Sequence, residues 1–311
     1  MILCCGEALI DMLPDVNASG EHVLRPVTGG SVYNTAIALG RLKERTSFLS
    51  GISTDGFGRS LIRDLEDAGV DHQLCVRSDR LTTLAVVDLS DGDATYTFYD
   101  EGSAGRMIQS GDAPSIPADF STLMFGGICL IPEPCGQTYE NLLVDNAANH
   151  LIYLDPNIRP GFIEDDDRHR ARIRRMVSHS DIVKVSDEDL SWIEPQADAD
   201  AAVQKWLANG TSMVLLSRGG DGSEAHTASG IVKADAMKIE VADTVGAGDT
   251  FSAGFLASLN TQCGLSKSGL SELDDKTIQT ALRFANRAAA ITASRHGANP
   301  PWLEEMDVTA D

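Results

Sequence analysis

Short runs of apolar and β-branched residues alternate with longer stretches of helical periodicity along most of the chain, and this rhythm limits the possible folds more than any other feature. The apolar runs lie at 2–5, 46–50, 122–125, 151–155, 182–185 and 213–217. The helical stretches lie at 31–42, 59–68, 136–148, 167–178 and 199–209. Strands separated by helices at this spacing form βαβ units, so the expected fold class is α/β: a mostly parallel sheet covered on both faces, in three layers. With 311 residues, 42% of them hydrophobic, the chain can fill one large core, and a single unit over 1–311 is expected.

Two segments break the rhythm. Residues 12–27 and 82–99 lack helical periodicity and read as short strands around turns at Asn17-Ala18-Ser19-Gly20 and Ser90-Asp91-Gly92-Asp93. They are expected to form a small β lid beside the core.

The formal charge of -21 arises from acidic residues spread along the sequence. Long nucleic acids and anionic membranes are therefore poor partners. The first residues have neither a basic region nor a long apolar stretch, and no later run is long enough to cross a bilayer, so a cytoplasmic location is expected. The six cysteines show no Cys-x-x-Cys spacing and read as reduced.

An acidic chain that handles phosphate must confine its positive potential to a local pocket. One stretch can do this: Ala242-Asp243-Thr244-Val245-Gly246-Ala247-Gly248-Asp249-Thr250-Phe251, a glycine-rich turn running into a helix. Unpaired N–H groups and the helix dipole favour an anion there, and Gly246 and Gly248 let it approach the backbone. Asp249, in the first helical turn, can take the proton of an attacking hydroxyl. In isolation the same residues could be a tight turn with a capping aspartate.

The wider sequence resembles the ribokinase-like (PfkB) family of carbohydrate kinases. The stretch above matches the family signature Asp-Thr-x-Gly-Ala-Gly-Asp at every defined position. Gly29-Gly30-Ser31-Val32-Tyr33-Asn34-Thr35-Ala36 matches Gly-Gly-x-x-x-Asn-x-Ala, Gly6-Glu7-Ala8-Leu9-Ile10-Asp11 matches Gly-Glu-x-x-x-Asp, and Gly51 to Gly58 matches a further glycine-rich element loosely. The resemblance runs from Gly6 to Pro301. It implies a ribokinase-like α/β/α core, with Asp249 as base and the Gly246-Ala247-Gly248 backbone as anion hole. Asp11, Gly29, Gly30 and Asn34 would be substrate contacts, and Asp243 part of a monovalent cation site, such as one for potassium.

Other segments continue the match. Asp155-Pro156-Asn157-Ile158-Arg159 resembles a segment of fructokinases and 2-keto-3-deoxygluconate kinases and offers Arg159 to substrate or phosphate. Lys184-Val185-Ser186-Asp187-Glu188-Asp189 aligns with the family's Asn-x-x-Glu element as Ser-x-x-Asp. It suggests Lys184 for nucleotide and Asp189 for magnesium, while a capping box from Ser186 to Asp189 explains the same spacing. Ser217-Arg218-Gly219-Gly220-Asp221-Gly222 resembles the nucleotide loop, giving Ser217, Gly219, Gly222 and Gly248 as ATP contacts, and Asn286 resembles an adenine-side position.

The expected enzyme is an ATP- and magnesium-dependent phosphotransferase acting on a primary sugar hydroxyl. Fructose is the leading substrate, with 2-keto-3-deoxygluconate, ribose or a nucleoside as alternatives; the acid would seek Arg106 or Arg159. A homodimer formed through the lid is also implied. A sensing protein on the same fold is the non-enzymatic alternative, against which a base beside an anion hole argues. The chain has no Gly-x-x-x-x-Gly-Lys-Ser/Thr loop and no dinucleotide fingerprint after the first strand.

Overall fold

A computed structural model describes residues 1–88 and 95–307; the turn expected at 90–93 lies outside them. The strands are β1 (Ile2–Cys5), β2 (Leu9–Val16), β3 (His22–Gly29), β4 (Thr46–Leu49), β5 (Gly51–Ser53), β6 (Val76–Ser78), β7 (Leu84–Asp88), β8 (Thr95–Tyr99), β9 (Thr122–Gly126), β10 (Leu151–Asp155), β11 (Ile182–Ser186), β12 (Met213–Ser217), β13 (Ser223–Thr227) and β14 (Gly230–Ala234). The helices are α1 (Ser31–Arg41), α2 (Gly56–Asp67), α3 (Cys135–Asn146), α4 (Asp166–Val177), α5 (Asp187–Ile193), α6 (Ala199–Ala208), α7 (Ala247–Cys263), α8 (Lys267–Leu270) and α9 (Asp275–Ala293).

Eight strands form the main sheet in the order β14-β13-β12-β11-β10-β9-β1-β4. From β4 to β12 neighbouring strands run parallel, and β13 and β14 add an antiparallel edge. The two-residue period of each central strand sends alternate side chains to opposite faces. Ile2 and Cys4 join Tyr33, Phe48, Phe255 and Leu282 in one core, under α1, α2, α7 and α9. Leu3 and Cys5 join Tyr139, Ile173 and Trp206 in the other, under α3 to α6. A sheet buried on both faces needs continuous apolar runs, which is why these strands are legible as such.

The antiparallel edge was not anticipated. Its first strand carries Ser223, Glu224 and His226, polar residues that hide the strand pattern because they are paired inside the fold. Glu224 bonds Arg218, His226 and Lys233 together.

A second sheet, ordered β3-β2-β7-β8, stands beside the first. It begins at Leu9 and its hairpin returns as far as Gly29, so it reaches closer to the core than 12–27. After β1 the chain goes to the β4 edge, and later strands build outward from β9 on the other side. The order therefore reverses between β1 and β9, and open α/β sheets bind ligands beyond the strand ends at such a reversal.

Candidate active site

Helix α7 is buried around its whole circumference from Asp249 to Leu259, as expected of a helix apolar on every side. Gly254 allows close packing on Ala285 and Ala288 of α9. The N-terminus of α7 is thereby fixed beside the ends of β10 and β11. Gly246 caps it in the left-handed region, with φ of 76°, and a side chain there would also strike Ala298. A Cβ on Gly248 would stand 3.2 Å from Lys184 Nζ, which places the buried lysine against the bare backbone of the turn.

Asp249 is 6% exposed. Its Oδ1 accepts hydrogen bonds from Ser31 Oγ at 2.8 Å and Asn157 Nδ2 at 3.4 Å, and its Oδ2 accepts from Asn34 Nδ2 at 2.9 Å. Ser31 Oγ in turn accepts from Asn157 Nδ2 at 2.6 Å. Burial pushes the Asp249 carboxyl up to about 6, against the pull of the Asn34 and Ser31 donors. A carboxylate tuned in this way is a competent base near neutral pH.

Asp11 projects from β2 across Gly29, where a Cβ would lie only 2.3 Å from its Oδ2. Burial, and then the charge of Asp249, push Asp11 up to about 6 as well. Gly30 has φ of 114°, and a Cβ there would meet the Glu7 carbonyl at 2.8 Å. Glu7 lies at the strand-order reversal: its carboxylate accepts from Ser31 N on α1 at 2.8 Å and from Cys129 N, beyond β9, at 3.4 Å.

Lys184 and Asp155 form a buried pair at 3.0 Å, with side chains 6% and 0% exposed. Burial by itself would lower the lysine pKa, but Asp155, Asp189 and Asp249 together raise it, so the lysine stays charged beside the turn. Asp155 Oδ2 also accepts from Ser252 Oγ on α7.

Asp11, Gly29, Gly30, Asn34, Lys184, Gly246, Ala247, Gly248 and Asp249 thus converge on one place. Asp243 stitches the turn to the loop after α9, accepting from Val245 N at 3.0 Å and Gly297 N at 2.8 Å. Asp189 completes a capping box with Ser186 and also accepts from Ile158 N at 2.9 Å, so each of its oxygens already holds a backbone N–H. Arg159 is exposed, donates to its neighbour's carbonyl at Ile158, and shares the surroundings of Tyr96 with Asp11 and Asp243.

Ser217 ends β12, which pairs with the strand of Lys184, and Gly219 and Gly222 follow it. Gly222 packs its bare Cα against the Ala234 carbonyl, whereas nothing lies near Gly219. Asn286 is engaged at both ends of its amide: it accepts from Ser223 Oγ and donates to the carbonyls of Ala234 and Asp235. Its evident task is to hold α9 on the sheet edge. Ser31 was given no role by sequence, whereas Asp155 and Asn157 belong to the Asp-Pro-Asn segment expected at the ligand-binding edge of the sheet.

Residues 1–305 match the pfkB family of carbohydrate kinases. The chain belongs to this family. It is therefore a carbohydrate kinase, a phosphotransferase whose acceptor is a sugar hydroxyl. It is 50% identical over 279 residues to the fructokinase of Rhizobium leguminosarum bv. trifolii, covering 90% of this chain and 86% of that one. Among solved structures, the fructokinase of Xylella fastidiosa with bound ATP superposes with a TM-score of 0.91 at 26% identity, covering 98% and 96% of the two chains. A fructokinase from Vibrio cholerae with fructose, ADP and potassium gives 0.82 at 25% identity, covering 96% and 93%. The ribokinase-like α/β fold expected from the sequence is thus the fold observed.

With Asp249 as the base, its ionised form would be the active one, so kcat/KM should level off above about pH 7, be roughly halved near pH 6 and fall further below it. Asp11 titrates in the same range, so the acid limb should be steeper than a single ionisation gives. A pH–rate profile still flat at pH 5 would contradict this assignment.

Proposed function

We propose that the protein is an ATP-dependent fructokinase, transferring the γ-phosphoryl group to a primary hydroxyl of fructose. The observation that carries the reading is Asp249, a buried carboxylate held by Ser31 and Asn34 on the first turn of a helix whose N-terminus faces Lys184. In this reading Asp11 accepts hydrogen bonds from sugar hydroxyls, a task suited to a carboxylate, and Asn34, Gly29 and Gly30 border the sugar. Lys184 and the N–H groups at Gly246, Ala247 and Gly248 offset charge on the transferring phosphoryl oxygens. Ser217, Gly219 and Gly222 border the nucleotide, and Asn286 supports that border from behind. Arg159 lies at the rim, within reach of either ligand.

Among the described residues no group of three or more His, Cys, Asp or Glu side chains stands ready to hold a metal ion, and Asp155 is already paired with Lys184; magnesium, which would neutralise phosphate charge, would arrive with the nucleotide and lie near Asp189. Asp189 has both oxygens in backbone bonds, which fits contact through a metal-bound water. Potassium at the Asp243 loop follows from the signature and from the potassium in the Vibrio relative. The whole chain acts as one catalytic unit with the second sheet as its lid. Val16, Val23 and Leu24 are exposed apolar side chains on that sheet and support a homodimer formed through it. A cytoplasmic protein without nucleic-acid or membrane partners is consistent with the acidic surface; among the described residues no helix is long and apolar enough to cross a membrane.

The test is MgATP-dependent ADP release with fructose, 2-keto-3-deoxygluconate, ribose, adenosine or no sugar, each with and without potassium. Turnover on fructose above all others is expected. Preference for another of these substrates would keep the chemistry and overturn the sugar, and no turnover on any would favour a sensing role.

A further inference from the structure

Behind Glu7 and Ala8 the strand-order reversal opens into a cavity of about 610 Å³, roofed by Tyr96 and Phe98 of the second sheet and floored by the segments before α3 and α4. It adjoins the transfer site: Glu7 lines it while bonding the first residue of α1, and Tyr96 lines it while sharing surroundings with Asp11. A sugar presenting one hydroxyl to Asp249 therefore has its remote end directed here.

The cavity contains three arginines, and each is already matched. Arg106 pairs with Asp100 at 3.0 Å and donates from Nε to the Glu133 carbonyl. Arg172, almost fully buried, is held by Glu140, Glu133 and the Leu130 carbonyl. Arg168 is held by Glu133. His169 adds no charge, because burial and then the neighbouring Arg172 bring it down to about 4. Counting Glu164 and Asp165, the wall carries four carboxylates against three guanidinium groups, even with the buried Glu7 set aside.

We propose that this cavity selects the uncharged, hydroxyl-bearing remote end of a ketose, and that Asp100, by engaging Arg106, excludes sugars ending in a carboxylate. Hydroxyls can both donate to the carboxylates and accept from the arginines. An incoming carboxylate finds every guanidinium among the described lining residues already paired with a carboxylate and meets a net negative wall, where like charges in a partly dry site are costly. Arg106, which a sugar acid would otherwise use, is occupied.

This inference rests on the sugar-kinase reading above and narrows its substrate class. Its test compares kcat/KM and calorimetric affinity for fructose and 2-keto-3-deoxygluconate in the wild type, in Asp100→Asn and in Asp165→Asn. Both substitutions remove a charge while keeping an oxygen acceptor, for Arg106 in one case and for the α4 cap in the other. The wild type should prefer fructose by roughly 10²-fold, and Asp100→Asn should narrow that preference about tenfold, chiefly through the KM of the acid. Asp165→Asn should narrow it less.

Equal use of both sugars by the wild type, or an unchanged ratio in Asp100→Asn that is still folded by circular dichroism, would overturn the proposal. If Asp100→Asn does not fold, Asp100→Ser, which also removes the charge, is measured in its place under the same criteria. Failure to turn over either sugar would overturn the fructokinase reading instead. The calorimetric affinities would then decide the cavity, tighter binding of the acid overturning the proposal and tighter binding of fructose supporting it.

Discussion

Asp249→Asn should fold, bind sugar and nucleotide, and lose on the order of 10²-fold or more in kcat, the scale of a missing general base. The carboxylate lies in the first turn of α7, where it can face both an attacking hydroxyl and a phosphate on the helix N-terminus. Its hydrogen-bond partners Ser31 and Asn34 lie on α1, so they orient it from a separate element and stay in place when its charge is removed. Steady-state kinetics with saturating sugar, together with a thermal melt to show that the variant is folded, provide the measurement. Turnover within a few-fold of wild type would remove Asp249 from the mechanism. A loss confined to KM would make it a substrate ligand only.

Lys184→Met should cost about 3–5 kcal/mol of stability, the usual penalty for removing one partner of a buried ion pair. Asp155 is wholly buried, and Lys184 is its cationic partner; without the lysine, Ser252 alone still bonds the paired oxygen. Urea unfolding monitored by circular dichroism, with the m-value checked for constancy, gives the number. The double variant Lys184→Met, Asp155→Asn should recover much of the loss, because no uncompensated charge is then buried. A single-variant cost below about 1 kcal/mol would mean that Asp155 simply takes up a proton and that the pair matters little to folding. Turnover should fall in both variants, since the positive charge beside Gly248 is gone.

The two variants probe different parts of the same arrangement. Asp249 sits in a buried place that raises its pKa, a cost that a base working near neutral pH would justify. Lys184 is held charged by the carboxylates around it, which keeps a cation near the anion hole without leaving it free to solvent.

The parallel core was legible because its strands are buried on both faces, and a strand such as Leu151–Asp155 must then be apolar throughout. The signature around Asp249 was legible through its match to the family's Asp-Thr-x-Gly-Ala-Gly-Asp at every defined position, since the local turn alone would equally suit a capping aspartate. The β13–β14 hairpin was hidden because its strand residues Glu224 and His226 satisfy one another and their neighbours inside the fold, contacts that no local pattern records. Asn286, matched by motif to the nucleotide, proved to be tied to Ser223 and the end of β14.

The sequence by itself determined the layered α/β core and the glycine turn, since periodicity and short-range spacing specify local backbone shape, and its resemblance to the family singled out Asp249 as the base to test. Only the tertiary structure decided what Asp249 touches, that Ser31 and Asn157 support it, that Lys184 is paired with Asp155, and that Asp100 occupies Arg106. Ser31 and Asp249 are 218 positions apart, and Lys184 and Asp155 lie on adjacent strands. Such pairings depend on how the strands are ordered and how the helices pack upon them, and so do the electrostatics of the site.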